Sequence, residues 1–220
     1  MIQPDEIIRS RRKTLSITVD SFGRLIVRAP LRCSEARIFS FIREKEDWIL
    51  RKIGERKGAG IQLPPENLNG YKMLVLGNEC TLQVVSSQKV GYDSENNIIY
   101  LPEKNPRERL IKWLKDNAKR IFALVTEQMA ERMGTRYKSI TITSARSRWG
   151  SCSGENALRY SFRLIYAPKE VIEYVIVHEL AHTIQHNHSK LFWAEVAKYV
   201  PDWKVKRAWL KKHSALMEIF

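Results

Sequence analysis

The sequence predicts an α+β fold, with a β-rich part over residues 1–100 and a mainly helical part over residues 101–220. Apolar and polar residues alternate in Thr14–Asp20 and again in Arg24–Arg28, as they do in half-buried strands. Over Leu110–Met129 the apolar residues recur at intervals of three and four, which predicts a long amphipathic helix. A later apolar segment carries two histidines at helical spacing. We therefore treat the two parts as two predicted domains.

The first hundred residues are predicted to form short strands around one helix. Ser21–Gly23 joins the two alternating segments and predicts a β-hairpin. Ser34 is a suitable N-cap for a helix that runs to about Ile53. Residues 57–70 are rich in Gly, Pro and Asn, which indicates a connector. Further strands are predicted near Lys72–Leu76, Cys80–Ser86 and Ile98–Leu101.

Residues 101–220 are predicted to contain helices with two strands between them. Asn105 is a cap-type residue, and Pro106 suits the first position of a helix. That helix should end at about Met133, because Gly134 favours the left-handed conformation of a helix end. Strands are expected at about Ser139–Ser144 and Leu158–Ile165, on either side of a loop, Ser147–Cys152. Three more helices are predicted to begin near Pro168, Ser189 and Asp202.

The chain is strongly basic, with 38 Lys and Arg against 24 Asp and Glu and a formal net charge of +14. Such a charge favours anionic partners, including nucleic acid. The three cysteines are an odd number spread along the chain, which argues against a disulfide scaffold and predicts a reducing, cytoplasmic location. No apolar run approaches the length of a transmembrane helix, so we expect no membrane association.

His178 and His182 carry the chemistry that the sequence indicates most strongly. Residues four apart lie on the same face of a helix, so both imidazoles can reach one metal ion. Glu179 lies about 100° further round the helix, where its carboxylate can reach a water molecule held by that ion. This spacing is typical of zinc hydrolases in which the glutamate is the general base.

A catalytic zinc site requires a third protein ligand, and His186 and His188 are the candidates. In a straight helix both would lie too far along the axis, since each residue rises about 1.5 Å. A break after Gln185 would change this. Asn187 can adopt a left-handed conformation and Ser189 can cap a new helix, which would bring His188 back toward the ion. We therefore prefer His188 to His186.

Other interpretations of these residues stay open. The histidines could be satisfied core or surface residues with no metal. Cys152 could complete a purely structural zinc site with four ligands, or it could act with a histidine as a nucleophile.

Three sequence blocks resemble the YgjP-like metal-dependent hydrolases, which are relatives of the SprT-like and WLM zincin peptidases. The blocks are Ser10–Ser16, Ser147–Ser153, and Val175–His182 with its continuation through Asn187–Ser189 to Phe192 and Trp193. The resemblance covers nearly the whole chain. It implies a zincin-like core, in which a mixed or antiparallel sheet packs on helices. It also implies zinc held by His178, His182 and His188, with Glu179 as the catalytic residue.

Several residues near the motif are candidates for contacts with substrate or with the oxyanion of a tetrahedral intermediate. They are Arg148, Trp149, Tyr160 and His186. Arg148 offers a charge for an oxyanion or a carboxylate, and Tyr160 offers a hydroxyl donor. The alternative is structural, with Trp149 and Tyr160 as core aromatics and Arg148 in a tight turn.

The predicted function is that of a zinc-dependent hydrolase, a peptidase with one zinc ion per chain that acts on peptides or proteins. Zinc would activate a water molecule for attack on a carbonyl, and Glu179 would take its proton. The alternative is a basic nucleic-acid-binding protein whose metal site does not turn over, with Trp203–Lys212 as its contact. By analogy with SprT- and WLM-type relatives, a DNA-associated protease is a further alternative. Hydrolysis of a non-peptide amide also stays open.

Overall fold

The computed structural model describes residues 2–20, 22–57 and 62–220, which group into two compact units. The first unit comprises the described residues up to Gln62 together with Lys212–Ala215. The second unit comprises Leu63–Lys211 and Leu216–Phe220. The predicted division at residue 100 stays a prediction about domains, because contacts within a chain do not show which part folds independently.

A three-stranded sheet and two helices form the first unit. The strands are β1 (Glu6–Ser10), β2 (Ser16–Val19) and β3 (Leu25–Pro30), and the helices are α1 (Glu35–Glu44) and α2 (Glu46–Lys57). The central strand β3 is parallel to β1 and antiparallel to β2, with Leu25 opposite Val19. The predicted hairpin is therefore confirmed, although Ser21 in its turn lies outside the described residues.

The single helix predicted from Ser34 is two helices in the structure. The Ser34 hydroxyl accepts a hydrogen bond from a backbone N–H in the first turn, as an N-cap does. However, α1 ends at Glu44, because the next residue, Lys45, has a φ of −106° and a ψ of 13°, which lie outside the helical region. The N–H of Lys45 bonds to the carbonyl of Ile42, three residues back, which tightens the last turn. The prediction of one helix to Ile53 is wrong at this break.

The second unit contains a four-stranded mixed sheet. Its strands are β4 (Lys72–Val75), β5 (Asn78–Val85), β6 (Gly91–Asp93) and β7 (Ile98–Pro102), in the order β4-β5-β7-β6. The neighbours β5 and β7 are parallel, and the other two pairs are antiparallel. The three predicted strands of this region are confirmed. Strand β6 was not predicted, because three residues are too few to show an alternating pattern.

A long helix, α3 (Pro106–Met133), follows this sheet. Gly134 ends it with a φ of 62°, in the left-handed conformation that the sequence predicts. The prediction that the Asn105 side chain caps this helix is wrong. Asn105 has a left-handed φ of 56°, and its side chain makes no capping hydrogen bond. Pro106 provides the helical φ at the first position instead.

A second sheet has three strands, β8 (Ser139–Thr143), β9 (Gly150–Cys152) and β10 (Ala157–Ser161), in the order β8-β10-β9. Strand β10 is parallel to β8 and antiparallel to β9. Two predictions are corrected here. The loop predicted at Ser147–Cys152 ends in an edge strand. The strand predicted at Leu158–Ile165 stops at Ser161, because Phe162–Tyr166 turns into a buried 3₁₀-helix.

Three helices follow, α4 (Lys169–Ala181), α5 (Lys190–Tyr199) and α6 (Trp203–Lys212), and then a 3₁₀-helix, Ser214–Glu218. The predicted starts near Pro168, Ser189 and Asp202 are confirmed. The turn between β4 and β5 lies against the start of α4, where a Cβ on Gly77 would be 2.9 Å from the Cα of Pro168. Gly77 also has a φ of 82°. Glycine allows both the close approach to Pro168 and the positive φ without strain, because it has no Cβ.

The helix α4 is largely buried within the second unit. It packs against α3, α5 and β9, and its apolar residues occur on nearly all sides. A helix held in this way is a rigid support for a site. The predicted α+β class is confirmed, with mixed sheets and the histidine motif on a helix. Over the described residues, no helix is both long and apolar enough to cross a membrane.

Candidate metal centre

The end of α4 carries the two motif histidines. The helix ends at Ala181, and His182 is its C-cap. The N–H groups of Thr183 and Ile184 each bond to a carbonyl three residues back, which tightens the chain at this point. The helix therefore ends before the predicted break after Gln185.

The turn that follows is built by side-chain hydrogen bonds. Asn187 is not in the predicted left-handed conformation. Instead, its side-chain oxygen accepts a hydrogen bond from the N–H of Ser189, at 3.2 Å. The Ser189 hydroxyl accepts a hydrogen bond from the N–H of Phe192 and caps α5, as predicted. These two turns bring His188 back to α4.

Three imidazoles meet at this turn. One ring nitrogen from each of His178, His182 and His188 lies within 4.8 Å of the others, and the Nε2 atoms of His178 and His188 are 3.1 Å apart. The carbonyl of Gln185 lies 3.2 Å from Nδ1 of His182, so a proton on Nδ1 leaves Nε2 free to coordinate. His186 is outside this three-histidine cluster but lines the same cavity.

The three-histidine cluster fits a divalent cation. Nitrogen ligands of a tetrahedral zinc ion lie about 3.3 Å apart, given bond lengths of about 2.0–2.1 Å. Burial, and then the charges of His182 and His188, lower the pKa of His178 to about 3. The ring is therefore neutral at pH 7 and its lone pair is available to a metal. Nε2 of His178 faces Nε2 of His188, so this is the ring nitrogen that the cluster presents to an ion.

Aromatic side chains of α5 pack against the rings of the three-histidine cluster. The ring centroid of Phe192 is 4.9 Å from that of His178, 4.5 Å from His182 and 4.8 Å from His188. Trp193 stacks on His188 at 5.7 Å, and Trp203 stacks on Trp193 at 4.0 Å. The residues themselves were visible in the sequence, but their supporting role was not. The cap at Ser189 predicts a helix with Phe192 and Trp193 on one apolar side, but not the contact of that side with the three histidines.

Glu179 is buried beside the cluster, with 6% of its reference area exposed. Burial raises the pKa of Glu179 to about 8, and the charge of Arg148 acts in the opposite direction. The backbone of β9 approaches this carboxyl so closely that a Cβ on Gly150 would lie 2.6 Å from Oε1 of Glu179. Gly150 was not predicted as a site residue. A glycine in an edge strand often marks such an approach.

Two cavities adjoin Glu179. The first, of about 250 Å³, is lined by the three-histidine cluster, Glu179, His186 and the edge strand β9. The second, of about 260 Å³, we call the side recess. It is lined by Arg148, Trp149, Gly150, Tyr174, Val175, His178, Glu179 and Leu210. Two predicted contact residues, Arg148 and Trp149, thus lie beside the motif.

Neither Tyr160 nor Cys152 lines the side recess, unlike Arg148. Tyr160 has 0% exposure, and its hydroxyl lies 3.5 Å from that of Thr126 in the core, so the structure does not bring it to either cavity. Cys152 lines the first cavity, but its sulfur is not among the clustered ligand atoms. Burial, and then the charge of Glu179, raise the pKa of the Cys152 thiol, which disfavours a nucleophilic thiolate.

Glu179→Gln is expected to stabilise the metal-free protein at alkaline pH. The folded-state pKa of Glu179 is raised from 4.5 to about 8, so the unfolded chain loses this proton first and stability falls as the pH rises between these values. The gain in free energy of unfolding should be absent below pH 4.5 and reach at most about 5 kcal/mol above pH 8. Urea unfolding at several pH values measures it. An identical pH dependence of the two proteins would contradict the burial effect.

The α+β fold and a histidine–glutamate site on a buried helix together define a metal-dependent peptidase. The family model described as the YgjP-like metallopeptidase domain matches residues 13–213. The chain belongs to this YgjP-like family, as its sequence blocks predicted. The family also indicates a divalent metal and protein or peptide substrates.

Two solved structures are similar to part of the chain. One is the metallopeptidase zymogen abylysin of Pyrococcus abyssi, with 21% identity and a TM-score of 0.38 over 41% of this chain and 93% of that chain. The other is the metallopeptidase zymogen jannalysin of Methanocaldococcus jannaschii, with 21% identity and a TM-score of 0.37 over 41% of this chain and 91% of that chain. A comparison with curated proteins gave no significant match.

Proposed function

We propose that the chain is a zinc peptidase with one zinc ion held by His178, His182 and His188 and with Glu179 as general base. The observation that carries this proposal is the convergence of three imidazoles beside a buried carboxyl. Three nitrogen ligands suit zinc and leave its fourth position for water. The cytoplasmic location belongs to the same proposal and is supported by the three free cysteines.

The proposed mechanism assigns the proton transfers to Glu179. His178, His182 and His188 would hold the zinc ion, which would supply the Lewis acidity that activates water. Glu179 lines the cavity of the three histidines, where the positive charge of a bound ion would favour its ionised form. Its carboxylate could then take the proton of the attacking water. The same carboxyl then gives the proton to the leaving amine. A buried carboxyl holds such a proton more readily than an exposed one, because burial disfavours the charged form.

The edge strand β9 is the proposed docking position for the substrate backbone. It lies at one end of the order β8-β10-β9, and its residues Gly150–Cys152 line the first cavity. An extended peptide can add to such an edge through main-chain hydrogen bonds, which places its carbonyl groups beside the motif. Arg148 and Trp149 directly precede this strand and are therefore placed to contact the same peptide.

The predicted nucleic-acid contact through Trp203–Lys212 stays a prediction, and the family supports a peptide substrate instead. The ring of Trp203 is stacked on Trp193, which is a packing role. The DNA-associated protease and the hydrolase of a non-peptide amide likewise stay predictions, because both would use the same three histidines and Glu179.

Removal of the metal tests the proposed function. Purified protein is expected to contain one zinc ion per chain and to cleave an unfolded protein substrate. Dialysis against a chelator should abolish cleavage, and one equivalent of zinc should restore it. Zinc content is measured by elemental analysis, and cleavage is measured by mass spectrometry of the fragments. Full cleavage by zinc-free protein would contradict the metal mechanism, and stoichiometric zinc without cleavage of any unfolded substrate would contradict peptidase function.

Gly150→Ala is expected to lower kcat/KM by about 10²-fold while zinc stays bound. The added methyl group would lie 2.6 Å from Oε1 of Glu179, so the carboxyl must move, and a displacement of about 1 Å can have this effect. Gly154→Ala is the matched control, because a Cβ there meets nothing within 4 Å. Kinetics and zinc content of both variants are compared. Equal activity of the two would show that the contact with Gly150 does not position Glu179.

A further inference from the structure

The side recess adjoins the proposed reaction centre. It shares Gly150, His178 and Glu179 with the cavity of the three-histidine cluster. A peptide whose scissile bond lies at the cluster would therefore have one of its flanking residues at the mouth of the recess. The inference that follows rests on the proposed function, since it concerns which peptides that site prefers.

The wall of the side recess is mainly apolar. Its apolar lining comes from Trp149, Tyr174, Val175 and Leu210, which belong to three separate parts of the chain. Its volume of about 260 Å³ is enough for an aromatic or branched aliphatic side chain. Burial of such a side chain favours binding, and the loss of several of its carbon atoms typically weakens recognition by about 10- to 200-fold.

One guanidinium group in the lining of the recess and one on the adjoining helix α6 add positive charge near it. Arg148 is part of its lining, and its charge acts on Glu179. Arg207 precedes Leu210 by less than one turn of α6, and its charge acts on both Tyr174 and His178. Its guanidinium also lies 5.4 Å from the ring centroid of Trp193, which holds it near the cluster.

In the part of the chain that the structure describes, neither guanidinium forms an ion pair with a carboxylate. Over the described residues, the ion pairs include neither Arg148 nor Arg207. Lys206, next to Arg207, is by contrast paired with Asp202 at 2.9 Å. The one carboxyl in the lining is Glu179, which the proposed mechanism uses. The recess is thus apolar inside and positively charged around Glu179, which complements an apolar side chain followed by a carboxylate.

We propose that the side recess selects peptides in which a large apolar side chain flanks the scissile bond and a carboxylate lies next to that side chain. The apolar side chain enters among Tyr174, Val175 and Leu210, and the carboxylate is held by Arg148 and Arg207. The carboxylate can be the C-terminus of the peptide or the side chain of Asp or Glu.

Cleavage of a peptide series by the zinc-loaded wild-type enzyme tests the preference. A cleaved peptide is first identified in a digest of an unfolded protein. Peptides of this sequence are made with Leu beside the scissile bond and Glu next to it, and then with Leu changed to Ala or Glu changed to Gln. Every peptide is made with a free and with an amidated C-terminus. We expect kcat/KM to fall about 10-fold or more for Ala and about fivefold for Gln. If kcat/KM falls only when the C-terminus is amidated, the bound carboxylate is the C-terminus of the peptide. If kcat/KM falls only when Glu is replaced by Gln, the bound carboxylate is the side chain.

Arg207→Gln is the matched variant for the charge. In this variant the preference for the Glu peptide over the Gln peptide should become smaller, because only Arg148 remains, whereas Lys204→Gln, which removes a charge on the same helix, should keep the wild-type preference. Calorimetric binding of the same peptides to zinc-loaded Glu179→Gln protein should show the same order of affinity without turnover. Cleavage of all peptides at equal rates would overturn the recess proposal and leave the proposed function intact. The absence of any cleavage would instead count against the proposed function.

Discussion

Replacing Glu179 by Gln is expected to lower kcat for peptide hydrolysis by about 10³-fold while the zinc content stays at one per chain. Glutamine has nearly the same shape as glutamate, so the contact with Gly150 and the packing of α4 are kept. Its amide cannot take a proton from water, and general-base catalysis typically contributes about 10²- to 10⁴-fold. The three histidines are unchanged, which is why metal binding should persist.

The measurement combines single-turnover kinetics with elemental analysis on the same sample. Glu170→Gln is the matched control, because Glu170 is an exposed residue in the first turn of α4, away from the motif. It should retain wild-type kcat and zinc. Full activity in zinc-loaded Glu179→Gln protein would show that the assigned base is wrong. Loss of zinc from that variant would mean that Glu179 is a metal ligand.

Replacing His188 by Ala is expected to weaken zinc binding by more than about 10²-fold and to abolish cleavage at ordinary zinc concentrations. Loss of a partner that only orients a ligand typically weakens binding by about 10- to 100-fold, and loss of a ligand should exceed this. His178→Ala and His182→Ala should have the same effect, since the three ring nitrogens lie within 4.8 Å of one another.

His186→Ala is the control that separates the two candidates for the third ligand. His186 lines the same cavity as His188, but it is outside the three-histidine cluster. We therefore expect His186→Ala to bind zinc as tightly as the wild type in a competition assay with a chelating dye. If His186→Ala loses zinc and His188→Ala keeps it, the third ligand is His186 and the turn after α4 rearranges on metal binding.

Much of the helical framework was predictable because its signals are local. The spacing of His178 and His182 requires only that α4 be a helix, and the apolar residues around them indicate one. Ser189 identified the start of α5 by its capping chemistry, and Gly134 identified the end of α3. Errors arose where local signals compete, as at Asn105, where a cap-type side chain occupies a left-handed residue that makes no capping bond.

The support around the site was not predictable in the same way. Tyr160 and Arg148 were both candidates for substrate contacts in the sequence, but Tyr160 is buried in the core and Arg148 lines the side recess. Strand β9 lies where the sequence predicts a loop, because three residues carry too little periodicity to indicate a strand. Its position beside α4 makes Gly150 a neighbour of Glu179, and no spacing rule connects two residues so far apart in the chain.

The sequence by itself determined which residues form the proposed site, with two histidines and a glutamate on one helix and a third histidine after a capped turn. These features depend on helix periodicity and turn formation, which act over a few residues. Only the tertiary structure decided what surrounds that chemistry. The close approach of Gly150, the aromatic backing by Phe192 and the side recess all depend on packing between distant segments. Such packing is set by burial of the whole core, which a local pattern does not encode.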